Sequence, residues 1–311
     1  MRVLITGGAG FIGSHIAAAH LGRGDEVLVV DNLSAGRREH VPAGAQFAEA
    51  DITDAAAMAE LWRQFRPQIV SHHAAQIDVR RSVDEPVLDA QVNIVGSLNV
   101  IRNCVDQGSG KLVFASTGGA IYGELQDLPA SEDSPMQPIS MYGVAKYCVE
   151  QYLGAYGRLD DLNYTVLRYA NVYGPGQRTD GEAGVVAIFA GLILEGSPPT
   201  VFGDGGKSRD YVYIDDVVRA HAAAVERGGP RAYNIGTGVG TSDRQVFEEI
   251  ARATGYSGEP IYSEERKGEI RHIALDCSRA ERELGWKAQV GFAEGIVQTV
   301  AYLRDAADRA E

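Results

Sequence analysis

Tyr142 and Lys146 stand four residues apart in the segment Met141-Tyr142-Gly143-Val144-Ala145-Lys146. On a helix, residues at that spacing share a face, so a phenol and an ammonium would enter one site. A nearby cation favours the phenolate and is expected to lower the tyrosine pKa toward neutrality, which suits a general acid and base. The run Lys111-Leu112-Val113-Phe114-Ala115 ends in Ser116-Thr117. A hydroxyl at the end of that strand can share the proton of a substrate oxygen. Thr117 is the expected catalytic hydroxyl, and Ser116 is the alternative.

A second constellation lies at the start of the chain. Thr6-Gly7-Gly8-Ala9-Gly10-Phe11-Ile12-Gly13 follows a strand-like run and precedes a helix expected to begin near Ser14. Gly8, Gly10 and Gly13 satisfy G-x-G-x-x-G, and Gly7, Gly10 and Gly13 satisfy the related spacing of one glycine every third residue. Missing Cβ atoms allow a tight turn, close approach of a pyrophosphate, and close packing of helix on strand. Asp31 ends the next strand, 18 positions beyond Gly13. A carboxylate there accepts from ribose hydroxyls and repels a 2′-phosphate. NAD is therefore expected rather than NADP, although Arg37 and Arg38 could serve a 2′-phosphate. Asp51-Ile52 could flank an adenine, or Asp51 could cap a helix over Thr53–Leu61.

The elements that must position these groups read as strand alternating with helix. Val3–Thr6, Val27–Val30, Ile69–His72, Lys111–Ser116 and Tyr164–Arg168 are apolar, β-branched runs between Ala- and Leu-rich helical stretches. Such alternation predicts an α/β fold, a Rossmann-type doubly wound parallel sheet. From about Asn171 the chain turns to loops rich in Gly and Pro with shorter elements. Residues 1–170 are expected to form a dinucleotide-binding domain, and 171–311 mainly a smaller α/β substrate lobe, with some segments returning to the first.

Composition narrows the class. The 311 residues include 29 Lys+Arg against 42 Asp+Glu, a net charge of −13, which speaks against a nucleic-acid or anionic-membrane partner. No apolar run approaches the roughly 18 residues of a membrane span. The N-terminus enters a strand at once, without a signal-peptide layout, and a cytoplasmic place is expected. Three cysteines, Cys104, Cys148 and Cys277, are too few and too far apart for a disulfide framework or a metal clip.

Taken together, the sequence resembles the extended short-chain dehydrogenase/reductase family, and within it the nucleotide-sugar 4-epimerases. Beyond Thr6–Gly13 and Tyr142/Lys146, the resemblance rests on Asp31-Asn32-Leu33-Ser34, His72-His73-Ala74-Ala75-Gln76 and Asn93-Ile94-Val95-Gly96-Ser97. It continues through Arg168-Tyr169-Ala170-Asn171-Val172-Tyr173-Gly174-Pro175-Gly176, Val201–Gly205, Arg209-Asp210-Tyr211-Val212 and Asp276–Ala280. What it implies is NAD held by Gly7, Gly10, Phe11, Ile12, Gly13, Asp31, Asn32, Ser34 and Gly36. Asp51, Ile52, His73, Ala74, Ala75, Gln76 and Asn93 complete the cofactor side, with Tyr142 and Lys146. A UDP-sugar would meet Thr117, Tyr142, Asn171, Phe202, Arg209 and Arg266, with Arg271 less defined and Tyr211 a further neighbour of the uracil.

In the family the catalytic hydroxyl lies four residues before a Tyr-Gly; counting back from Tyr122 reaches Gly118, whereas counting along the strand reaches Thr117. Similar dehydratases and decarboxylases carry carboxylates directly after that hydroxyl, where this chain has Gly118-Gly119. Epimerisation through a 4-keto sugar is therefore implied, ahead of dehydration, decarboxylation or a non-catalytic dinucleotide sensor. Ile273 occupies the position that sets sugar size in similar epimerases, where a large Tyr excludes N-acetyl sugars and a small Ser or Cys admits them; Ile is intermediate, and the unacetylated pair, UDP-glucose and UDP-galactose, is expected. Helices expected over Leu88–Gln107 and onward from Tyr142 resemble those of the family's four-helix interface, which implies a homodimer.

Overall fold

The computed structural model describes residues 1–180, 184–265 and 270–308. Its strands, in chain order, are β1 (Arg2–Thr6), β2 (Glu26–Asp31), β3 (Gln46–Glu49), β4 (Ile69–His72), β5 (Lys111–Thr117), β6 (Tyr164–Tyr169), β7 (Asn171–Tyr173), β8 (Thr200–Phe202), β9 (Ser208–Tyr213), β10 (Ala232–Ile235), β11 (Gly240–Ser242) and β12 (Ile261–Ser263). A seven-stranded parallel sheet has the order β10-β6-β5-β4-β1-β2-β3. The order reverses between β1 and β4, so the crevice at their C-terminal ends is the topological switch point where ligands bind in such sheets.

Alternating side chains of each strand go to opposite faces. Leu4, Leu28, Val70, Leu112 and Phe114 join Trp62, Val100 and Val149 of the helices on one face. Val3, Ile5, Val27 and Val29 join Ile16 and Ala17 on the other. Burial on both faces explains why these strands read as unbroken apolar runs.

The helices depart from the sequence reading at their ends. The first spans Phe11–Gly22 and begins three residues before Ser14, with Gly10 as its N-cap. The second spans Ala55–Phe65 and is capped by Asp54, which accepts from the amides of Ala56 and Ala57. Asp51 therefore does not cap it. The stretch expected as one helix over Leu88–Gln107 is Pro86–Ala90, a π turn over Gln91–Gly96, and Ser97–Asp106. A residue added to the turn in this way re-aims side chains.

Beyond residue 170, β7, β9 and β11 form a three-stranded sheet, and β8 pairs with β12. Two segments of this half return to the first: β10 lengthens the main sheet beside β6, and Val218 and Val225 of the helix Ile214–Arg227 pack on the core behind β1 and β2.

A buried ion pair fastens the helix Met141–Leu159 to the sheet. Glu150 lies between Arg168 of β6, whose Nη2 is 2.6 Å from its Oε2, and Ser116 of β5, whose Oγ donates to Oε1 at 2.6 Å. Arg168 also donates to the Tyr122 hydroxyl at 2.8 Å, and Tyr122 donates to Asn234 of β10 at 2.6 Å. Burial works against the guanidinium charge, but Glu150 and Tyr122 outweigh it and hold the Arg168 pKa above its ordinary value. Removing one partner strands a buried charge. Glu150→Leu is therefore expected to lower the unfolding free energy by about 3–5 kcal/mol, measured by urea denaturation of the full chain.

Candidate active site

The glycine turn between β1 and the first helix is held by contacts that leave no room for side chains. Gly7 has φ +69°, and a Cβ there would stand 2.5 Å from the Ala74 amide nitrogen and 2.7 Å from the His73 carbonyl carbon. A Cβ at Gly13 would overlap the Gly7 carbonyl oxygen. Gly10 differs: a Cβ there would meet only the Gly7 oxygen, at 3.2 Å, so its outer side is free for a phosphate. No side chain caps this helix and its first turn holds no acidic residue, so the amides of Phe11, Ile12 and Gly13 are available to an anion.

Asp31 is buried at the end of β2, where Oδ2 accepts from the Ala9 amide at 3.0 Å and Oδ1 from the Leu33 amide at 2.9 Å. A carboxylate has about four acceptor sites, so capacity remains for ribose hydroxyls. Gly36 closes over it, since a Cβ there would lie 2.9 Å from Asp31 Oδ1. Arg37 pairs with Glu39 at 3.6 Å, and Arg38 sits 4.4 Å over the Phe47 ring. Each guanidinium has a partner of its own, and the Asp31 carboxylate suits a 2′-hydroxyl better than a 2′-phosphate. This cradle fits a dinucleotide.

Asn32, Ser34 and Asp51 brace one another. Asn32 donates to Asp51 at 2.7 Å and accepts from the Ser34 hydroxyl at 2.7 Å. Burial pushes the Asp51 pKa up, but hydrogen bonds from Thr53 and Asn32 bring it below its ordinary value. Ile52 packs against Gly96, where a Cβ would lie 2.7 Å from its Cδ1. Gln76 and Asn93 are bound to each other. Asn93 is buried, accepting from the Gln76 amide and donating to the Gln76 carbonyl, each at 2.9 Å, and to Asp89 at 2.8 Å. The Gln76 side chain is spent on Asp78 and Asp89. Their side chains shape the loop that follows β4.

Tyr142 enters at the start of the helix Met141–Leu159, which Ser140 caps through the Gly143 amide. Gly143 lets that helix sit against the loop after β5, because a Cβ there would lie 2.7 Å from the Ala120 carbonyl oxygen. One turn on, Lys146 is buried; its Nζ donates to the Ala115 carbonyl at 2.9 Å and lies 5.8 Å from the centre of the Tyr142 ring. The expected lowering of the tyrosine pKa is not what the structure holds. Burial, with the Asp89 carboxylate next, raises the Tyr142 pKa, while burial brings Lys146 down to about 8 against the pull of Asp89 and Glu150. At rest the tyrosine is a neutral phenol.

Strand alternation separates the two hydroxyls of β5. Ser116 points into the sheet's buried network on Glu150, which corrects its place as alternative catalyst. Thr117 ends the strand on the cleft side, and a Cβ at Gly119 would stand 3.9 Å from its Oγ1 and 3.2 Å from Asn171 Oδ1. Gly119 thus brings Thr117 and Asn171 together. A Cβ at Gly118 would crowd the end of the Leu275 side chain, so a residue with a side chain there would require Leu275 to move.

On the substrate side, Asn171 of β7 is paired in register with Tyr211 of β9, two residues beyond Arg209. Period-two alternation puts Asn171, Tyr211 and Arg209 on one face. Among the described residues, the Arg209 guanidinium donates to the carbonyls of Ser208, at 2.9 Å, and Arg271, at 3.3 Å. Arg271 is exposed and paired with Asp204 at 3.2 Å. Phe202 is half-buried at the end of β8. Arg266 lies outside the described residues. Ile273 is 1% exposed and packs in a core cluster that this half shares with residues of β5 and β6.

Sequence reasoning missed Glu150, although its position four residues after Lys146 on the same helix face was the available signal. It also missed Leu275, which nothing local marks, and Asp210. That buried carboxylate accepts from Thr237 at 2.6 and 2.8 Å, Gly238 at 2.9 Å and Leu275 at 3.1 Å.

A doubly wound sheet with a glycine cradle at its switch point and a Tyr-Lys pair in the same crevice defines a Rossmann-type, dinucleotide-dependent enzyme. Residues 3–236 match the NAD dependent epimerase/dehydratase family, and the chain belongs to that family. The UDP-glucose 4-epimerase of Mycolicibacterium smegmatis is 44% identical over 311 residues, 98% of this chain and 99% of that one. A crystal structure of the Thermotoga maritima UDP-glucose 4-epimerase with UDP-glucose matches at TM-score 0.98 and 48% identity, covering 99% of this chain and 100% of the other. The Thermus thermophilus UDP-glucose 4-epimerase in complex with NAD matches at TM-score 0.94 and 47% identity, covering 98% and 100%.

The depressed Lys146 pKa carries a stability consequence. Its folded value of about 8 lies below the ordinary 10.5, so across that window the unfolded chain binds more protons and stability rises with pH. The difference in unfolding free energy between the parent and Lys146→Met is expected to grow in the parent's favour from about pH 8 to pH 10. Denaturant titrations at several pH values measure it, and a flat difference would contradict it.

Proposed function

We propose that this protein interconverts UDP-glucose and UDP-galactose by epimerisation at C4 of the sugar. One observation carries the reading: beyond Thr117 the chain runs Gly118-Gly119 under Leu275 and Asn171, so this segment offers the cleft a hydroxyl and an amide and no carboxylate. Elimination or decarboxylation would need a further acid or base there; epimerisation needs only a proton carrier at one oxygen. Full-length relatives named UDP-glucose 4-epimerase support it.

NAD, when bound, supplies reversible hydride exchange at C4 and a positive charge in the cleft, so that a transient 4-keto sugar can be reduced from either face. Gly7, Gly10 and Gly13 with the first helix would hold its pyrophosphate, and Asp31 its ribose. Tyr142 takes the proton of the 4-hydroxyl as the alcohol is oxidised and returns it as the ketone is reduced. Thr117 donates a hydrogen bond to the same oxygen. Lys146, anchored on Ala115, supplies the cation that favours the phenolate once the site is filled. Arg209, Asn171 and Arg266 would bind the diphosphate, as guanidinium forks do, and Phe202 would flank the uracil.

We also infer a homodimer. Val87 and Val95 of the first helical stretch, and Met141, Val144 and Tyr152 of the Tyr142 helix, are exposed, which is the apolar face such a four-helix contact requires. Among the described residues no helix is long and apolar enough to cross a membrane. A cytoplasmic place is our reading of its three free cysteines.

Incubating the purified protein with UDP-galactose, without added NAD, should give both sugar configurations by NMR with no net NADH; a dehydrated or decarboxylated product would overturn the reading. Tyr142→Phe should keep bound NAD and lose at least about a hundredfold in turnover. Arg209→Ala should weaken UDP binding by about tenfold or more while NAD content is unchanged, as calorimetry and nucleotide extraction would report.

A further inference from the structure

The helix that carries Tyr142 is capped by two hydroxyls, and one of them comes from elsewhere in the chain. Amides in the first turn of a helix have no partner within it. Ser140, the N-cap of Met141–Leu159, accepts from the Gly143 amide at 3.1 Å. The Tyr142 amide, one residue earlier, goes instead to Oγ of Ser82, at 3.2 Å and 60 residues away in sequence. Ser82 is fully buried in the helix Val79–Asp84, and its own proton is spent on the Val79 carbonyl at 2.6 Å. A hydroxyl has one O–H and two lone pairs, so Ser82 meets Tyr142 as an acceptor only.

Ser82 stands on a segment that other side chains must place. Six residues are too few for a helix to persist by itself, and Val79–Asp84 is fixed at its start. Asp78 accepts from the Arg81 amide at 2.9 Å, and the Asp78 amide donates to Gln76 Oε1 at 2.6 Å. The Gln76 amide donates to Asn93 at 2.9 Å, and Gln76 Nε2 to Asp89 at 3.0 Å. Two residues before Gln76, the Ala74 amide nitrogen stands where a Cβ on Gly7 would collide with it. A line of contacts therefore runs from the glycine turn through Gln76, Asp78 and Ser82 to the backbone of Tyr142. The other anchors of the Tyr142 helix come later along it: Lys146 donates to the Ala115 carbonyl at 2.9 Å, and Glu150 pairs with Arg168. Helix ends fray where their amides are left unpaired, so the first turn depends on Ser140 and Ser82.

We propose that Ser82 is a positioning residue: by accepting from the Tyr142 amide, it sets where the phenol stands relative to the glycine turn. The proposal rests on Tyr142 as the proton carrier of the epimerase reading. Misplacing a reacting group by about 1 Å can cost about a hundredfold in rate. Ser82 acts through the backbone, so its loss falls on turnover and leaves the binding of substrate and cofactor in place.

In the holoenzyme, Ser82→Ala should lower kcat for UDP-galactose about tenfold, with KM and bound NAD close to the parent's. Ser82→Cys, similar in size but a weaker acceptor, should lose about threefold. Asp54→Ala, which removes the cap of the helix Ala55–Phe65, is the control: it should lose comparable stability in urea and keep the parent's kcat. With ¹³Cζ-labelled tyrosine, the Tyr142 resonance, identified by its absence in Tyr142→Phe, should shift in Ser82→Ala and stay in place in Asp54→Ala. That measurement needs no turnover, so it separates failure of the proposal from failure of the epimerase reading. Parental kcat in the Ser82 variants, a kcat that falls only in step with lost NAD or stability, or an unmoved Tyr142 resonance would overturn the proposal. If Ser82→Ala does not fold, Ser82→Cys carries the same readings.

Discussion

The ion pair between Glu150 and Arg168 constrains everything that meets in the cleft. It joins the helix carrying Tyr142 and Lys146 to β6, takes in Ser116 of β5, and passes through Tyr122 to Asn234 of β10. A buried pair of charges is a poor source of net stability, because desolvation offsets its attraction. What it supplies is angular definition: a guanidinium fork accepts a carboxylate in few geometries. The phenol, the ammonium and the Thr117 hydroxyl thereby share one frame, although they come from a helix and a strand that the chain builds separately.

Two further constraints meet that frame from either side. On the cofactor side, backbone atoms approach so closely that Gly7 and Gly13 admit no Cβ, and the loop after β4 is seated directly on the glycine turn. On the substrate side, Asp210 gathers the amides of Thr237, Gly238 and Leu275, and the Leu275 side chain fills the space beside Gly118. Arg209, the neighbour of Asp210 in sequence, is thus tied through one carboxylate and one leucine to the loop that follows Thr117. The two halves of the molecule close on each other at a glycine.

Much of the fold was legible because its signals are local. Unbroken apolar strands declare a sheet buried on both faces, a glycine turn declares the first crossover, and a four-residue spacing declares a shared helix face. The errors were local too: the first helix starts at Phe11 because Gly10 serves as N-cap, and Asp54, not Asp51, caps the second. Side-chain commitments were not legible. Asn93 and Gln76 have the residue types of ligand contacts, yet their donors and acceptors are spent on each other and on Asp89.

The sequence by itself determined the class of chemistry, since the residue types and spacings at Gly7–Gly13, Asp31 and Tyr142–Lys146 are dictated by short-range geometry. Tertiary structure alone decided which hydroxyl faces the cleft, because Ser116 and Thr117 differ only in the side of the strand they leave, and a partner 34 residues away claims Ser116. It also decided protonation. A lysine one turn from a tyrosine suggests a lowered phenol pKa, but burial and Asp89 raise it, because the free energy of a charge depends on the dielectric around it, and only packing sets that.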